Sequence, residues 1–145
     1  MPADAPPPPA SKPFGTVFGE VMASVEFDGT SWSEPRMVGT GELILHPATH
    51  ALHYGSSCFE GLKAHRQPDG SVATFRASRH AERMYGSAER LMLPPPPVAL
   101  FERMVADTVA ANAAITPEPP GSLYLRPTLI GTEQNIGAAA RPSNT

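Results

Sequence analysis

The chain has 145 residues, 41% of them hydrophobic and 17% charged, with a formal net charge of −3. That length suits one domain, and that composition supports a packed core rather than a self-repelling disordered chain. Weak acidity without a Lys/Arg patch interleaved with aromatics argues against nucleic acid, and no apolar run reaches the roughly 18–20 residues of a membrane-spanning helix.

Residues 1–13 read as a disordered, proline-rich tail in which Pro6–Pro9 favour the polyproline conformation. A lone four-proline run is too common to name an SH3 or WW ligand. Residues 14–145 form the expected domain. Within it, Val17, Val21, Ala23, Val25 and Phe27 alternate with polar positions, the period of a strand over Thr16–Phe27. Asp28-Gly29 supplies a turn, and Trp32–Val38 returns as a proline-interrupted second strand. Gly61–Arg66 and Val72–Arg76 form a second expected hairpin around Pro68-Asp69-Gly70. Ser78 is placed to cap a helix running to about Met92, with Ala81, Met84, Tyr85, Ala88, Leu91 and Met92 on one face. Pro94–Pro97 end it. A second helix is expected over Ala99–Ala113, with Phe101, Met104, Val105 and Thr108 inward, and a last strand over Ser122–Ile130. Two helices packed on a mostly antiparallel sheet make an α+β fold.

Cysteine usage places the chain in a reducing compartment: Cys58 is the single cysteine, so no internal disulfide forms. The first residues carry no basic stretch before an apolar core, and they hold Asp4 with no arginine before Arg36. Cytoplasm is therefore the expected location.

Several residues invite chemical readings. His46, His50 and His53 have a spacing that superficially suits a metal, but Pro47 interrupts a helix and no acidic or cysteine ligand lies nearby in sequence, so no metal site is expected. Cys58 lacks a flanking basic residue and reads as a small apolar side chain. Arg83 has Arg79, His80, Gly86 and Ser87 three and four residues away, none a carboxylate. It reads either as a solvated arginine or as an anion clamp whose planar fork matches phosphate oxygens. In the last strand Tyr124, Arg126 and Thr128 share one face and Leu123, Leu125 and Leu129 the other. Pro127 holds Arg126 extended, so phenol and guanidinium project together, either toward water or toward a carboxylate.

These segments carry a family likeness. His53–Gly61 followed by Leu62-Lys63-Ala64 resembles the HY-x-x-x-x-FEG-x-KA segment of branched-chain amino-acid aminotransferases, fold-type IV pyridoxal-phosphate enzymes. Phe75-Arg76 through Arg83-Met84, Ser87–Leu91, and Gly121–Glu133 resemble its later blocks in the same order. Phe14-Gly15 and Leu45–Ala48 also fit. The resemblance implies the small N-terminal domain of such an enzyme. Pyridoxal 5'-phosphate would be the cofactor, its phosphate bound by Arg83. Phe14, Phe59, Tyr124 and Arg126 would form walls and carboxylate readers of the substrate site. Tyr54 would reach into a partner subunit's site, implying a homodimer. Substrates would be leucine, isoleucine, valine and glutamate with their 2-oxo acids.

The resemblance assigns no catalytic residue here. The sequence holds only Lys12 and Lys63, neither at the family's Schiff-base position, so the larger lysine-bearing domain is expected to be missing and the chain alone inactive. Two alternatives remain. One is a D-amino-acid aminotransferase or aminodeoxychorismate lyase of the same fold, against which the Ser122–Pro127 block argues. The other is a non-catalytic dimerising fragment. Departures from the family pattern are Gly19-Glu20-Val21-Met22 and Ser57-Cys58.

Overall fold

At the first hairpin, Asp28 Oδ1 accepts the N–H groups of Thr30 and Ser31, both at 2.8 Å, and Gly29 takes a φ of 98° that favours glycine. The turn thus forms where the sequence puts it. The computed structural model describes residues 13–41 and 43–137, so positions 1–12 of the expected tail, with Lys12, and the last eight positions lie outside the described residues. β1 (Val21–Ser24) pairs antiparallel with β2 (Arg36–Gly39), from Ser24 opposite Arg36 to Val21 opposite Gly39. The ladder is shorter than the alternation over Thr16–Phe27 implies. Pro35 has no N–H to extend it, and beyond it the isolated Phe27–Trp32 bridge closes the hairpin.

The short helix α1 (His50–Tyr54) begins past Pro47. Its first N–H groups are met by distant carbonyls: His50 donates to Glu133 O at 2.9 Å and Ala51 to Gly131 O at 3.0 Å. β3 (Ser57–Phe59) follows, then β4 (Leu62–Arg66) and β5 (Val72–Thr74), the second expected hairpin. Asp69 Oδ1 accepts the Ser71 N–H at 3.0 Å across its turn.

Helix α2 (Ala77–Arg90) starts one residue before Ser78, so Ser78 is not its cap. Arg76 holds the N-cap position in the left-handed region, φ 54°, and no side chain caps the helix. The buried stripe is Ala81, Met84 and Ala88, narrower than the sequence implies, with Tyr85, Leu91 and Met92 exposed. The helix also ends before the prolines reach it. Met92 turns left-handed at φ 56°, its N–H bonds Glu89 O at 3.0 Å, and Leu93 N–H bonds Ala88 O at 2.9 Å. This is a Schellman motif with Met where glycine is usual. A left-handed L-residue is strained by about 1–2 kcal/mol. Met92→Gly therefore raises the unfolding free energy by about 0.5–1 kcal/mol, after subtracting glycine's extra unfolded-state entropy; urea titration checks it.

Helix α3 (Val98–Ala111) buries Phe101, Val105 and Val109 and continues into a 3-10 turn, Ala113–Ile115. Its polar side chains seat the first hairpin: Ala23 N–H donates to Thr108 Oγ1 at 3.1 Å, and Asn112 Nδ2 donates to Val21 O at 3.0 Å. The expected last strand is two strands. β6 (Leu123–Leu125) pairs with β4, while β7 (Thr128–Ile130) pairs with β3. The break falls at Arg126-Pro127, where proline cannot donate to a ladder.

Three antiparallel sheets result among the described residues, ordered β1-β2, β3-β7 and β5-β4-β6. The core lies between α2 and α3 and the inner faces of β4, β6 and β7, from Leu62, Ala64, Leu125 and Leu129 to Met84 and Phe101. The fold class is α+β, as the sequence implies. Among the described residues no helix is long and apolar enough to cross a membrane.

Candidate cofactor and substrate site

Splitting the last strand gives it two neighbours at once. β6 runs beside β4 and β7 beside β3, so the Arg126-Pro127 joint lies against the turn Phe59-Glu60-Gly61 that links β3 to β4. Glu60 N–H donates to Pro127 O at 2.9 Å and fixes the approach. On one side of this turn the Arg126 guanidinium lies 4.3 Å from the Phe59 ring centroid. Its Nε and Nη2 donate to Tyr124 Oη at 3.1 and 3.0 Å. The Phe14 ring meets Tyr124 edge-on, 5.1 Å between centroids. Phe14, Phe59, Tyr124 and Arg126 are therefore brought together, and the pairing of phenol with guanidinium follows the alternation of the sequence. Phe14 and Phe59 are exposed, so the cluster faces outward as an aromatic ledge with one fixed cation.

Gly61 completes the ledge. A Cβ there would stand 2.2 Å from Tyr124 Oη and 3.1 Å from Cζ, so the hydroxyl occupies space that any other residue would fill.

Arg83, on α2, takes the other side of the turn. Its Nε and Nη2 donate to Glu60 Oε1 and Oε2 at 2.7 and 2.5 Å, a bidentate pair. His80 Nδ1 also approaches Oε2 at 2.9 Å. The Glu60 side chain is 5% exposed and that of Arg83 66%, so a buried carboxylate holds a cation whose remaining edge is open. Sequence reading sought an acid for Arg83 only within its helix and missed Glu60, 23 residues away. The signal was present, since Glu60 sits in the Phe-Glu-Gly segment.

Hydrogen bonds from Arg83 hold the Glu60 carboxyl below its ordinary 4.5, against the opposing effect of burial, with a smaller contribution from His80. A carboxylate whose folded pKa is lowered adds stability that is fully present above about 4.5 and is lost as pH falls through the lowered value. The melting temperature of the native chain accordingly drops on acidification below about pH 4.5. Glu60→Gln flattens that limb, as circular-dichroism melts across the range would register.

The remaining candidates lie elsewhere. Tyr54 closes α1, half-exposed, with its hydroxyl donating to Ile136 O and its ring 4.7 Å from that of His50. It is not part of the ledge. The three histidines have separate partners: His46 Nδ1 accepts Ala48 N–H, His50 Nδ1 meets Ser56 Oγ at 2.9 Å, and His53 Nε2 meets Pro47 O at 2.8 Å. Cys58 is half-buried with Sγ 3.5 Å from Met84 Sδ, and burial foremost, then Glu60, pushes its thiol pKa up, away from a reactive thiolate. Lys63 is exposed on β4, opposite Tyr124 in register.

The chain is 41% identical over 138 residues to a probable branched-chain-amino-acid aminotransferase of Streptomyces coelicolor, covering 93% of this chain and 38% of that protein. It is 45% identical over 113 residues to the branched-chain-amino-acid aminotransferase of Haemophilus influenzae, covering 77% and 33%. The chain belongs to the branched-chain aminotransferase family. Solved branched-chain aminotransferases share its fold. The enzyme of Thermoproteus uzoniensis, with norvaline, matches with a TM-score of 0.63 at 28% identity over 83% of this chain and 37% of that one. The branched-chain aminotransferase from Escherichia coli matches with a TM-score of 0.61 at 27% identity over 84% and 38%. A further solved branched-chain aminotransferase, complexed with N-(5'-phosphopyridoxyl)-L-glutamate, matches with a TM-score of 0.59 at 28% identity over 81% and 36%. No protein-family model matches the chain. Relative to the curated branched-chain aminotransferases above, it spans about a third of their length.

Proposed function

We propose that this chain supplies the phosphate- and carboxylate-binding side of a pyridoxal 5'-phosphate-dependent transaminase that exchanges the amino group of leucine, isoleucine or valine with 2-oxoglutarate. One observation carries the reading: two arginines grip the same three-residue turn, Arg83 through the Glu60 carboxylate and Arg126 over the Phe59 ring. Amino-acid transamination on a phosphorylated cofactor needs two anion sites, one for the cofactor phosphate and one for the substrate carboxylate. The residues fit both groups. The Glu60 contacts of Arg83 run through Nε and Nη2 and leave Nη1 out, on a largely exposed side chain whose fork suits phosphate oxygens.

When bound, the cofactor supplies the electron sink that weakens the substrate's α-C–H bond. The chain's own residues bind and orient. Arg126 reads the carboxylate, with Tyr124 Oη accepting from its Nε and Nη2 and leaving the other N–H groups of this exposed side chain for the substrate. Phe59 and Phe14 provide apolar walls for aliphatic side chains and exclude water from them. Tyr54, standing apart from this ledge, would serve a second subunit's site, as in a homodimer. Neither Lys12 nor Lys63 is assigned as the lysine that anchors the cofactor and moves the α-proton; we assign that step to residues outside this sequence. The cytoplasm is the assigned compartment, on the single, half-buried cysteine.

Absorbance titration of the 145-residue chain with pyridoxal 5'-phosphate tests the reading. The expected result is saturable binding without turnover, lost in Arg83→Ala. No borohydride-stable pyridoxyl group forms at one lysine. A specific adduct at Lys63 accompanied by transamination would overturn the assignment of the lysine, and absence of binding to the folded chain would overturn the cofactor site.

A further inference from the structure

The Arg83–Glu60 pair is more elaborate than a surface ion pair. Glu60 is buried, its backbone is tied to Pro127 O at 2.9 Å, and Oε2 receives a second donor from His80 Nδ1 at 2.9 Å. A carboxylate only accepts, so Nδ1 carries the proton. His80 Nδ1 and Arg83 Nη2, 3.3 Å apart, are then both donors and converge on Oε2 instead of bonding each other. Exposed ion pairs contribute little to stability, whereas a buried, unpaired carboxylate is costly. The arrangement therefore does little for folding that an apolar residue at position 60 would not do. What it achieves is orientation: Nε and Nη2 are engaged, the plane of the guanidinium is set, and Nη1 is left out of the Glu60 contacts on a side chain that is 66% exposed.

We propose that Glu60, locked by His80 and Pro127, is a positioning residue that presents the Nη1 edge of Arg83 to the phosphate of a pyridoxal-type ligand. The inference rests on the reading of Arg83 as the phosphate site. Two effects oppose one another. The Glu60 charge repels an incoming phosphate, but the Arg83 guanidinium that Glu60 holds would stand at the phosphate, and its opposite charge offsets that repulsion. A free arginine loses the freedom of its long side chain on binding, and a pre-set fork does not. Orientation wins.

The test measures affinities of pyridoxal 5'-phosphate and of pyridoxal for the intact chain, so that their ratio isolates the phosphate contribution. In Arg83→Ala the ratio collapses toward one. In Glu60→Gln it falls at least five-fold while pyridoxal affinity is unchanged, and the Arg83 Nε–H signal in ¹⁵N spectra, slow to exchange in the native chain, exchanges rapidly. A merely structural role would weaken both ligands together. A ratio unchanged or raised in Glu60→Gln, with Arg83→Ala still collapsing it, overturns the positioning role. A ratio unchanged in Arg83→Ala overturns the phosphate site itself. If Glu60→Gln does not fold, His80→Ala decides: it keeps both charges and unlocks Oε2, and the ratio must fall about two-fold or the proposal fails.

Discussion

Gly61→Ala lowers carboxylate affinity about ten-fold or more while leaving the fold in place. The new Cβ would lie 2.2 Å from Tyr124 Oη, well inside contact distance, so the phenol must swing away. That hydroxyl accepts two bonds from Arg126, and the Tyr124 ring is braced edge-on by Phe14. Moving it frees the guanidinium proposed to read the carboxylate, and one hydrogen bond to a charged group contributes about 1.5–3 kcal/mol. Each increment of about 1.4 kcal/mol is ten-fold in affinity. The stability cost is smaller, about 1–2 kcal/mol, because the clash is with the tip of a side chain and not with backbone. Titration with 4-methylvaleric acid, a ligand of one of the solved branched-chain aminotransferases, in the presence of pyridoxal 5'-phosphate provides the readout. The double variant Gly61→Ala/Tyr124→Phe separates the two effects: removing the hydroxyl restores the melting temperature but not the affinity. Wild-type affinity in Gly61→Ala would show that Tyr124 does not set Arg126.

Met84→Ala has the largest effect on stability, about 2–5 kcal/mol, out of the roughly 5–15 kcal/mol typical of a domain. Met84 is 2% exposed and lies between the residues that matter most for the site. Its sulfur touches Cys58 on β3, and its backbone neighbour is Arg83 on α2. The truncation opens a cavity where α2 rests on β3, so the helix carrying Arg83 is less firmly set against the strand leading to Glu60. Chemical denaturation measures the first consequence. The second is a reduced preference for pyridoxal 5'-phosphate over pyridoxal in the fraction still folded. Met84→Leu, which conserves volume, restores most of both. A loss below about 1 kcal/mol in Met84→Ala would mean that α2 is held elsewhere.

Both substitutions act on the three-residue turn, and that turn marks the boundary between what could be read early and what could not. Tyr124 and Arg126 were legible as a pair because strand alternation puts residues two apart on one face, whatever the strand pairs with. The two hairpins were legible because Asp28-Gly29 and Pro68-Asp69-Gly70 carry their turn geometry locally. Segment order and the Phe-Glu-Gly motif were enough to name the family.

Local pattern failed where the deciding partner was remote. Ser78 looked like a cap, yet α2 begins at Ala77 with Arg76 in the cap position, and its end is decided by Met92 adopting a left-handed turn that returns Leu93 to the core. Ser122–Ile130 has the local pattern of one strand, in which Pro127 does no more than hold Arg126 extended. The proline divides it because β4 claims the first half and β3 the second.

Sequence by itself determined the α+β class, the two long helices, the two hairpin turns and the Tyr124–Arg126 pair, because each depends on spacing within a few residues, while Phe14 and Phe59 follow only from the family resemblance. Only the tertiary structure decided that Glu60 belongs to Arg83, that Gly61 must lack a side chain, and that both arginines meet at one turn. Those facts arise from contacts between segments far apart in the chain, set by how β3 and β4 pair with the divided strand and how α2 packs on them. Chain-local periodicity carries no information about such distances.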